Sequence, residues 1–392
     1  MSTVQTGPPP APGGIGVLVS GGAPNLHLAA GALCAFKECG LTFDLIGTAG
    51  AGALPALLSL VPKNGDAVAS LRSTVYINIH DVIYSLIPDN YKIFLKRGPW
   101  TEAFWRLGRS LPHFALMPGD RENSGLRRFF NDTVDLAVAA LTPSTLWYGS
   151  PSVCTRAGVI DDLIDWPALS THPTRFFLNA FDLGNLELTA FTNADLTPEA
   201  FYAALAMPWL YEPTVVLNRM YTEGAAHDPS GLEAVGPFLE ASLSTNRPID
   251  ILIALDTVVT DLWLDPNNVQ EALELAVMDP IVCLGQYVLA LYSRLDVLRE
   301  EKRIPGPKLY YIPFPIQAQD ARRILDWSYS NALSLWEIGY NSAATFCGVL
   351  KSGNQSNLDQ TYRYYNVRGN RPLIRDFLSL FDGLFGALSP PR

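Results

Sequence analysis

The sequence predicts an α/β fold: three layers, a mostly parallel sheet flanked by helices, with a helical insertion and a helical C-terminal extension. Three observations predict it. Two short apolar runs, residues 16–19 (GVLV) and 43–46 (FDLI), each lead into a glycine-rich turn and then a helical stretch, the alternation that builds parallel strands with crossover helices. Further apolar runs of strand length recur at residues 175–180, 251–255 and 309–312. And 392 residues at 48% hydrophobic and only 17% charged can bury a large core.

Taken in order, residues 1–14 (with TGPPPAPGG at 6–14) read as a flexible lead-in, so that order begins near Ile15. The first strand opens into Ser20, Gly21 and Gly22, and residues 26–37 form a helix that stops before Gly40. The second strand enters the turn at residues 47–52 (GTAGAG), followed by a helix over 53–60. Between about 62 and 150 sheet signals fade. Eight aromatics crowd residues 76–116 (Tyr76, Tyr84, Tyr91, Phe94, Trp100, Phe104, Trp105, Phe114). They predict a helical insertion with its own core, or alternatively a wall over an apolar pocket. Residues 175–180 and 187–191 flank Gly184 and Asn185 as a hairpin. Apolar spacing over 281–295 and 324–339 predicts two long amphipathic helices. The boundaries that follow are an α/β unit at 15–264 and a helical extension at 265–392.

Charge excludes one class of partner. Lys+Arg number 28 against 38 Asp+Glu, a net of −10, with no basic run, so nucleic acid is not expected. The five cysteines, Cys34, Cys39, Cys154, Cys283 and Cys347, form no C-x-x-C pair and no zinc-ligand spacing. Neither a disulfide framework nor a structural metal is expected, and a reduced cytoplasmic setting is the default. No basic n-region precedes an apolar stretch, and no run of about 18 uncharged apolar residues is present, so no such export signal or membrane span is expected. The mean hydropathy of +0.13 fits a large core or an apolar substrate surface. No cofactor is expected; peripheral membrane contact and a homo-oligomer stay open.

A glycine turn between strand and helix serves as a phosphate cradle or as an oxyanion hole beside a nucleophile, both resting on unpaired amides at the helix start. No G-x-x-x-x-G-K-[ST] occurs, and residues 13–16 (GGIG) precede a strand instead of following one, so nucleotide binding has weak support. The turn at 47–52 has the small residues of a nucleophile elbow. With Ser20-Gly21-Gly22-Ala23-Pro24-Asn25-Leu26 and Thr48-Ala49-Gly50-Ala51-Gly52-Ala53-Leu54, the chain resembles the patatin-like phospholipases, which open with an S-G-G-G-x-R-G oxyanion loop followed by a G-x-S-x-G elbow. Residues 203–213 (AALAMPWLYEP) resemble that family's small-residue helix and proline turn. Residues 221–225 (YTEGA) fall on its Y-x-D-G-[GA] segment, and residues 181–185 on its T-D-L-x-T-G hairpin. The resemblance covers about 15–260 and implies the three-layer patatin-like fold.

The resemblance breaks at the chemistry. In the gapless register Gly50 stands for the elbow serine, Glu223 for the dyad aspartate and Asn25 for the oxyanion-loop arginine. Glycine offers no nucleophile. A register shifted by two makes Thr48 the alternative nucleophile, at the cost of an indel and a strained β-branched residue; Ser20 is a weaker one. The resemblance places Gly21, Gly22, Ala23, Asn25, His27, Gly50 and Ala51 around substrate or oxyanion. Glu223, with His227, becomes the acid/base candidate. His227 would share a face with Glu223 if the segment were helical. Asp228 reads as a turn residue, and a metal at Glu223, His227 and Asp228 has little support. Asp44 reads as a structural acceptor, while Asp182 and Asp256 follow strands without an identifiable partner.

The expected function is therefore a patatin-related enzyme that hydrolyses or cleaves a hydrophobic acyl or carbonyl substrate by carboxylate acid/base chemistry, without a serine acyl-enzyme. The alternatives are a catalytically silent lipid- or acyl-binding protein on the same scaffold, and an esterase using Thr48 or Ser20.

Overall fold

The computed structural model describes residues 13–22, 25–88, 90–91, 125–140, 160, 162–208, 210–245, 247–255, 269–316 and 326–368. Its centre is an eight-stranded, mostly parallel sheet among the described residues, in the order β5-β6-β3-β2-β1-β7-β8, with β4 on β3 off that path. The parallel strands are β1 (Gly14–Val19), β2 (Leu45–Thr48), β3 (Arg175–Asp182), β7 (Ile249–Leu255) and β8 (Lys308–Tyr311). β4 (Glu187–Thr192), β5 (Thr214–Val216) and β6 (Arg219–Glu223) run in antiparallel pairs.

The strand period sorts side chains to two faces. Val17, Val19 and Ile46 join one core with α1 (Leu26–Glu38), α2 (Ala53–Leu60), α7 (Pro198–Ala204) and α10 (Tyr329–Lys351). Leu18, Leu45, Leu252, Leu309 and Tyr311 join the other core with α8 (Leu232–Ser242), α9 (Val269–Glu301) and Tyr364 of α12 (Tyr364–Arg368). Three layers result, as expected.

Two expectations change. The second strand begins at Leu45, because Asp44 is occupied outside it: its carboxylate accepts the Ile15 amide at 3.0 Å and faces Arg247 at 3.3 Å. The segment after 265, expected as a helical extension, carries the strand expected at 309–312 and packs on the α/β unit. It adds β8 to the sheet edge through β7, and α10 lies against α1 so closely that a Cβ on Gly31 would overlap the Trp336 carbonyl, and one on Gly339 the Leu28 carbonyl. The short helix α11 (Gln355–Tyr362) and α12 then follow α10. Asp296 of α9 pairs with Arg363 at 3.0 Å and accepts the Leu309 amide, a buried pair that ties the end of the described chain to α9 and β8.

In the insertion the described elements are helical: α3 (Ala67–Ser73), α4 (Asp81–Leu86) and α5 (Gly125–Ala140). A short helix α6 (Trp166–Ser170) precedes β3. Ile79, Ile83 and Tyr91 form a satellite core, with Tyr84 and Leu136 against it. Tyr76 stacks on Tyr329 at 6.0 Å. Tyr84 and Tyr91 thus belong to a satellite core of the insertion and Tyr76 packs on the C-terminal helix α10; Phe94, Trp100, Phe104, Trp105 and Phe114 lie outside the described residues. One stretch among the described residues, Met278–Glu301, which holds the amphipathic helix expected over 281–295, is long and apolar enough to cross a membrane by length and composition. Its Leu289 and Ala290 are buried against the sheet.

Candidate active site

The site is built by the two edges of β3. One edge pairs with β4 from Phe177 to Asp182. The other takes β2 from Arg175 to Leu178 and, beyond the end of β2, β6 from Ala180 to Asp182. Because β6 is antiparallel to β3, it returns toward the carboxyl end of β2. Its last residue, Glu223, lies beside Ala180, two residues past the Leu178 that pairs with Thr48. Glu223 is thereby delivered above the turn that leaves β2. The Thr222 hydroxyl and the Glu223 amide both donate to the Ala206 carbonyl and fix this approach.

At that turn Ala49 is extended and Gly50 bends back with φ +45°, a left-handed conformation that glycine adopts without the steric cost of a side chain. A Cβ on Gly50 would overlap Glu223 Oε1 and would stand 3.2 Å from the Ala225 Cβ. One on Gly21 would stand 3.2 Å from the same Ala225 Cβ and from the Ala49 carbonyl oxygen. Both glycine turns and the turn after β6 therefore meet, with the Glu223 carboxylate lying where a side chain at residue 50 would begin.

Glu223 is 9% exposed. Burial alone pushes its carboxyl up to about 7, since low-dielectric surroundings disfavour the charged form. No side chain among the described residues offsets this with a hydrogen bond or a charge. Asp228, five residues on, is also buried but fully engaged. Its Oδ1 accepts the Leu232 amide and the Ser230 hydroxyl, and its Oδ2 accepts the amides of Glu233 and Ala234. It is the turn residue expected, capping the first turn of α8.

Not every candidate converges. His227 follows a 3₁₀ turn, Gly224–Ala226, so no helical face is shared with Glu223. Its ring is exposed at the edge of Phe181, 3.8 Å between centroids. Thr48 is buried at the end of β2 and donates its hydroxyl to the Phe177 carbonyl at 2.9 Å, so its proton serves strand pairing. Ser20 is buried. His27 lies at the start of α1 with its ring turned to the insertion: it is fully buried, with Nε2 2.7 Å from Asn78 Oδ1, and burial lowers its pKa to about 4. It is a neutral core imidazole. Asn25 caps no amide with its side chain, and its Oδ1 is buried without a partner.

Of the expected oxyanion amides, that of Gly21 donates to the Pro229 carbonyl at 3.2 Å and is not free. The amides of Gly22 and Ala51 have no acceptor among the described residues; Ala23 lies outside them, as does Asp256. Asp182 is held by Arg219 at 3.1 Å and by the amides of Gly184 and Asn185, a hairpin brace. Among the described residues no cluster of three His, Cys, Asp or Glu side chains could hold a metal.

One residue escaped the sequence reading. Asn179, fully buried in β3, donates Nδ2 to the Asp228 carbonyl at 2.7 Å, and Gly224 lies directly against it. It thus locks the turn that carries Glu223. The signal was available: an asparagine amid the apolar run of residues 175–181, where a buried amide needs a partner.

A mostly parallel sheet with its convergent turns at the strands' carboxyl ends defines an α/β protein of the kind that works at that end of the sheet. The patatin-like phospholipase family model matches residues 17–252; the chain belongs to that family. No curated protein matches the sequence. Among solved structures the chain is similar to VipD from Legionella pneumophila, at 13% identity and a TM-score of 0.33, over 98% of this chain and 82% of that one.

Proposed function

We propose that the chain acts on a hydrophobic acyl or carbonyl substrate, by hydrolysis or by C–C or C–O cleavage, with Glu223 as the acid/base group and no serine acyl-enzyme. The observation that carries this reading is the place of the Glu223 carboxylate: buried, without a partner among the described residues, and lying where a side chain at Gly50 would begin. In this register Gly50 takes the position of the family's serine. A carboxyl poised at about 7 is suited to exchange a proton near neutral pH.

For an ester, ionised Glu223 takes a proton from a water as its oxygen attacks the carbonyl. The carbonyl electron pair moves to the oxyanion, which the amides of Gly22 and Ala51 are available to bind. The intermediate then collapses, the C–O bond breaks, and Glu223 returns the proton to the leaving alcohol. Membership of a phospholipase family supports a lipid-like acyl group as the part bound.

The test is turnover on a panel of acyl esters by wild type and Glu223→Gln, together with fluorophosphonate labelling. Turnover that Glu223→Gln abolishes, with no labelled serine or threonine, supports the reading. Labelling at Ser20 or Thr48 overturns it. One observation favours a second reading: the carboxylate fills the space at residue 50 instead of leaving it open to substrate, as suits a silent acyl-binding protein. Stoichiometric fatty-acid binding without turnover on any ester would establish that reading.

A further inference from the structure

Two hairpin tips stand at the same end of the sheet as Glu223. β3 runs past the end of β2 to Asp182 and turns through residues 183–186 into β4; β5 turns through residues 217 and 218 into β6. The Leu183 amide donates to the Met220 carbonyl at 2.9 Å, so the two turns lie side by side. At about 3.3 Å per strand residue, Leu183 lies about 10 Å beyond the level of Glu223.

Among the described residues, large apolar side chains stand exposed at these tips, beside Gly184, Asn185 and Asn218. Leu217 is 86% exposed and Leu186 73%, with Val215, Met220 and Leu183 exposed beside them. Val215 and Met220 are a cross-strand pair. Leu186 and Leu217 hold positive φ, +58° and +49°. Left-handed backbone disfavours leucine and suits asparagine or glycine, which two-residue hairpins ordinarily use. Both leucines thus carry a backbone cost and, at their exposure, a hydration cost.

Charge selects the occupant. The tip's acid, Asp182, is buried and paired with Arg219, so no isolated buried charge has to be desolvated when the tips are covered. A second acid, Glu187, is exposed beside Leu186 at the tip end of the hairpin, where it is the cross-strand partner of Asp182 and its carboxylate accepts Asn185 Nδ2 at 3.2 Å. The tips are tight turns of four and two residues, and the chain's net charge of −10 works against an anionic surface. We propose that the two hairpin tips insert into a zwitterionic lipid surface and hold the carboxyl end of the sheet against it. The proposal rests on the reading of Glu223 as a centre that receives acyl chains, and names where those chains come from.

The experiment is co-sedimentation of the full chain with phosphatidylcholine vesicles, which needs no turnover. Wild type and Glu223→Gln should partition alike. Leu186→Asn/Leu217→Asn should partition about tenfold more weakly or less, as expected when two apolar side chains are lost from an interface. Its melting temperature should be unchanged or higher, because asparagine tolerates positive φ; a binding loss with that result cannot come from unfolding. Absence of wild-type partitioning at millimolar lipid overturns the proposal, as does partitioning of the double variant within twofold of wild type. If wild type self-associates, the double variant is monomeric and vesicle binding is nil in both, the tips join copies of this chain and the lipid proposal fails. Vesicle binding combined with inert Glu223 chemistry would leave this inference standing and remove the catalytic one.

Discussion

Glu223 and Asp228 are carboxylates of one connection, both buried, and they differ in what meets them. Asp228 receives three backbone amides and a hydroxyl. Glu223 receives nothing among the described residues, and its proton is held to about 7. The free energy of burying a carboxylate is offset in the first case by the start of α8. In the second it remains as a raised affinity for a proton. Burial alone therefore does not raise a carboxyl's affinity for its proton; burial without donors does.

The largest effect separating the two is kinetic. With an active ester, Glu223→Gln should lower kcat by about 10²–10⁴-fold, the range for loss of a general base. A loss below twofold removes Glu223 from the mechanism. Wild-type kcat should rise with pH to a plateau above about 7, where Glu223 is ionised.

Next, Gly50→Ser should destabilise by about 2–4 kcal/mol, since its Cβ overlaps Glu223 Oε1 and its φ is positive; overpacking and backbone strain each cost about 1–3 kcal/mol. Adding Glu223→Asp withdraws the carboxylate by one methylene and should recover at least about 1 kcal/mol of that loss by denaturant melting, as relief of overpacking requires. A double variant no more stable than Gly50→Ser would show that the two residues do not share the space.

The third effect is pH-dependent stability. The Glu223 pKa is raised on folding, from 4.5 to about 7, so between those values the folded state holds the extra proton and stability falls as pH rises. Glu223→Gln should thus match wild type near pH 4 and exceed it at pH 8 by up to about 3 kcal/mol, at 1.36 kcal/mol per pKa unit. Equal melting differences at both pH values would refute the desolvation. Asp228→Ala should instead lose roughly 2 kcal/mol by removing the cap of α8, leaving the stability transition near pH 7 in place. Smallest of all, His227→Ala should change kcat by less than about threefold, because an exposed ring at the edge of Phe181 holds no proton of the reaction.

Much of the frame could be read before folding. Strand, glycine turn and helix occur twice in residues 14–60 because apolar run length and glycine placement are local properties. Gly50 and Glu223 were legible by position within a motif. The β5–β6 hairpin was not, since its turn is Leu217 and Asn218 without glycine, and its strands expose Val215 and Met220. Nor was the fate of His27. Its place at a helix start suggested the strand ends, but the face of α1 that it occupies is closed by Asn78. Likewise the close packing of Gly31 and Gly339 joins segments about 300 residues apart through contacts that no local period encodes.

What the sequence determined by itself is the succession of elements, a residue without a side chain at position 50 and a carboxylate at 223. Only the tertiary structure decided that β6 returns along the edge of β3 left free beyond β2, so that this carboxylate is buried above that glycine with no donor among the described residues. The reason is physical: residue type fixes which proton can be exchanged, but its affinity depends on the water and charge that distant segments exclude or supply.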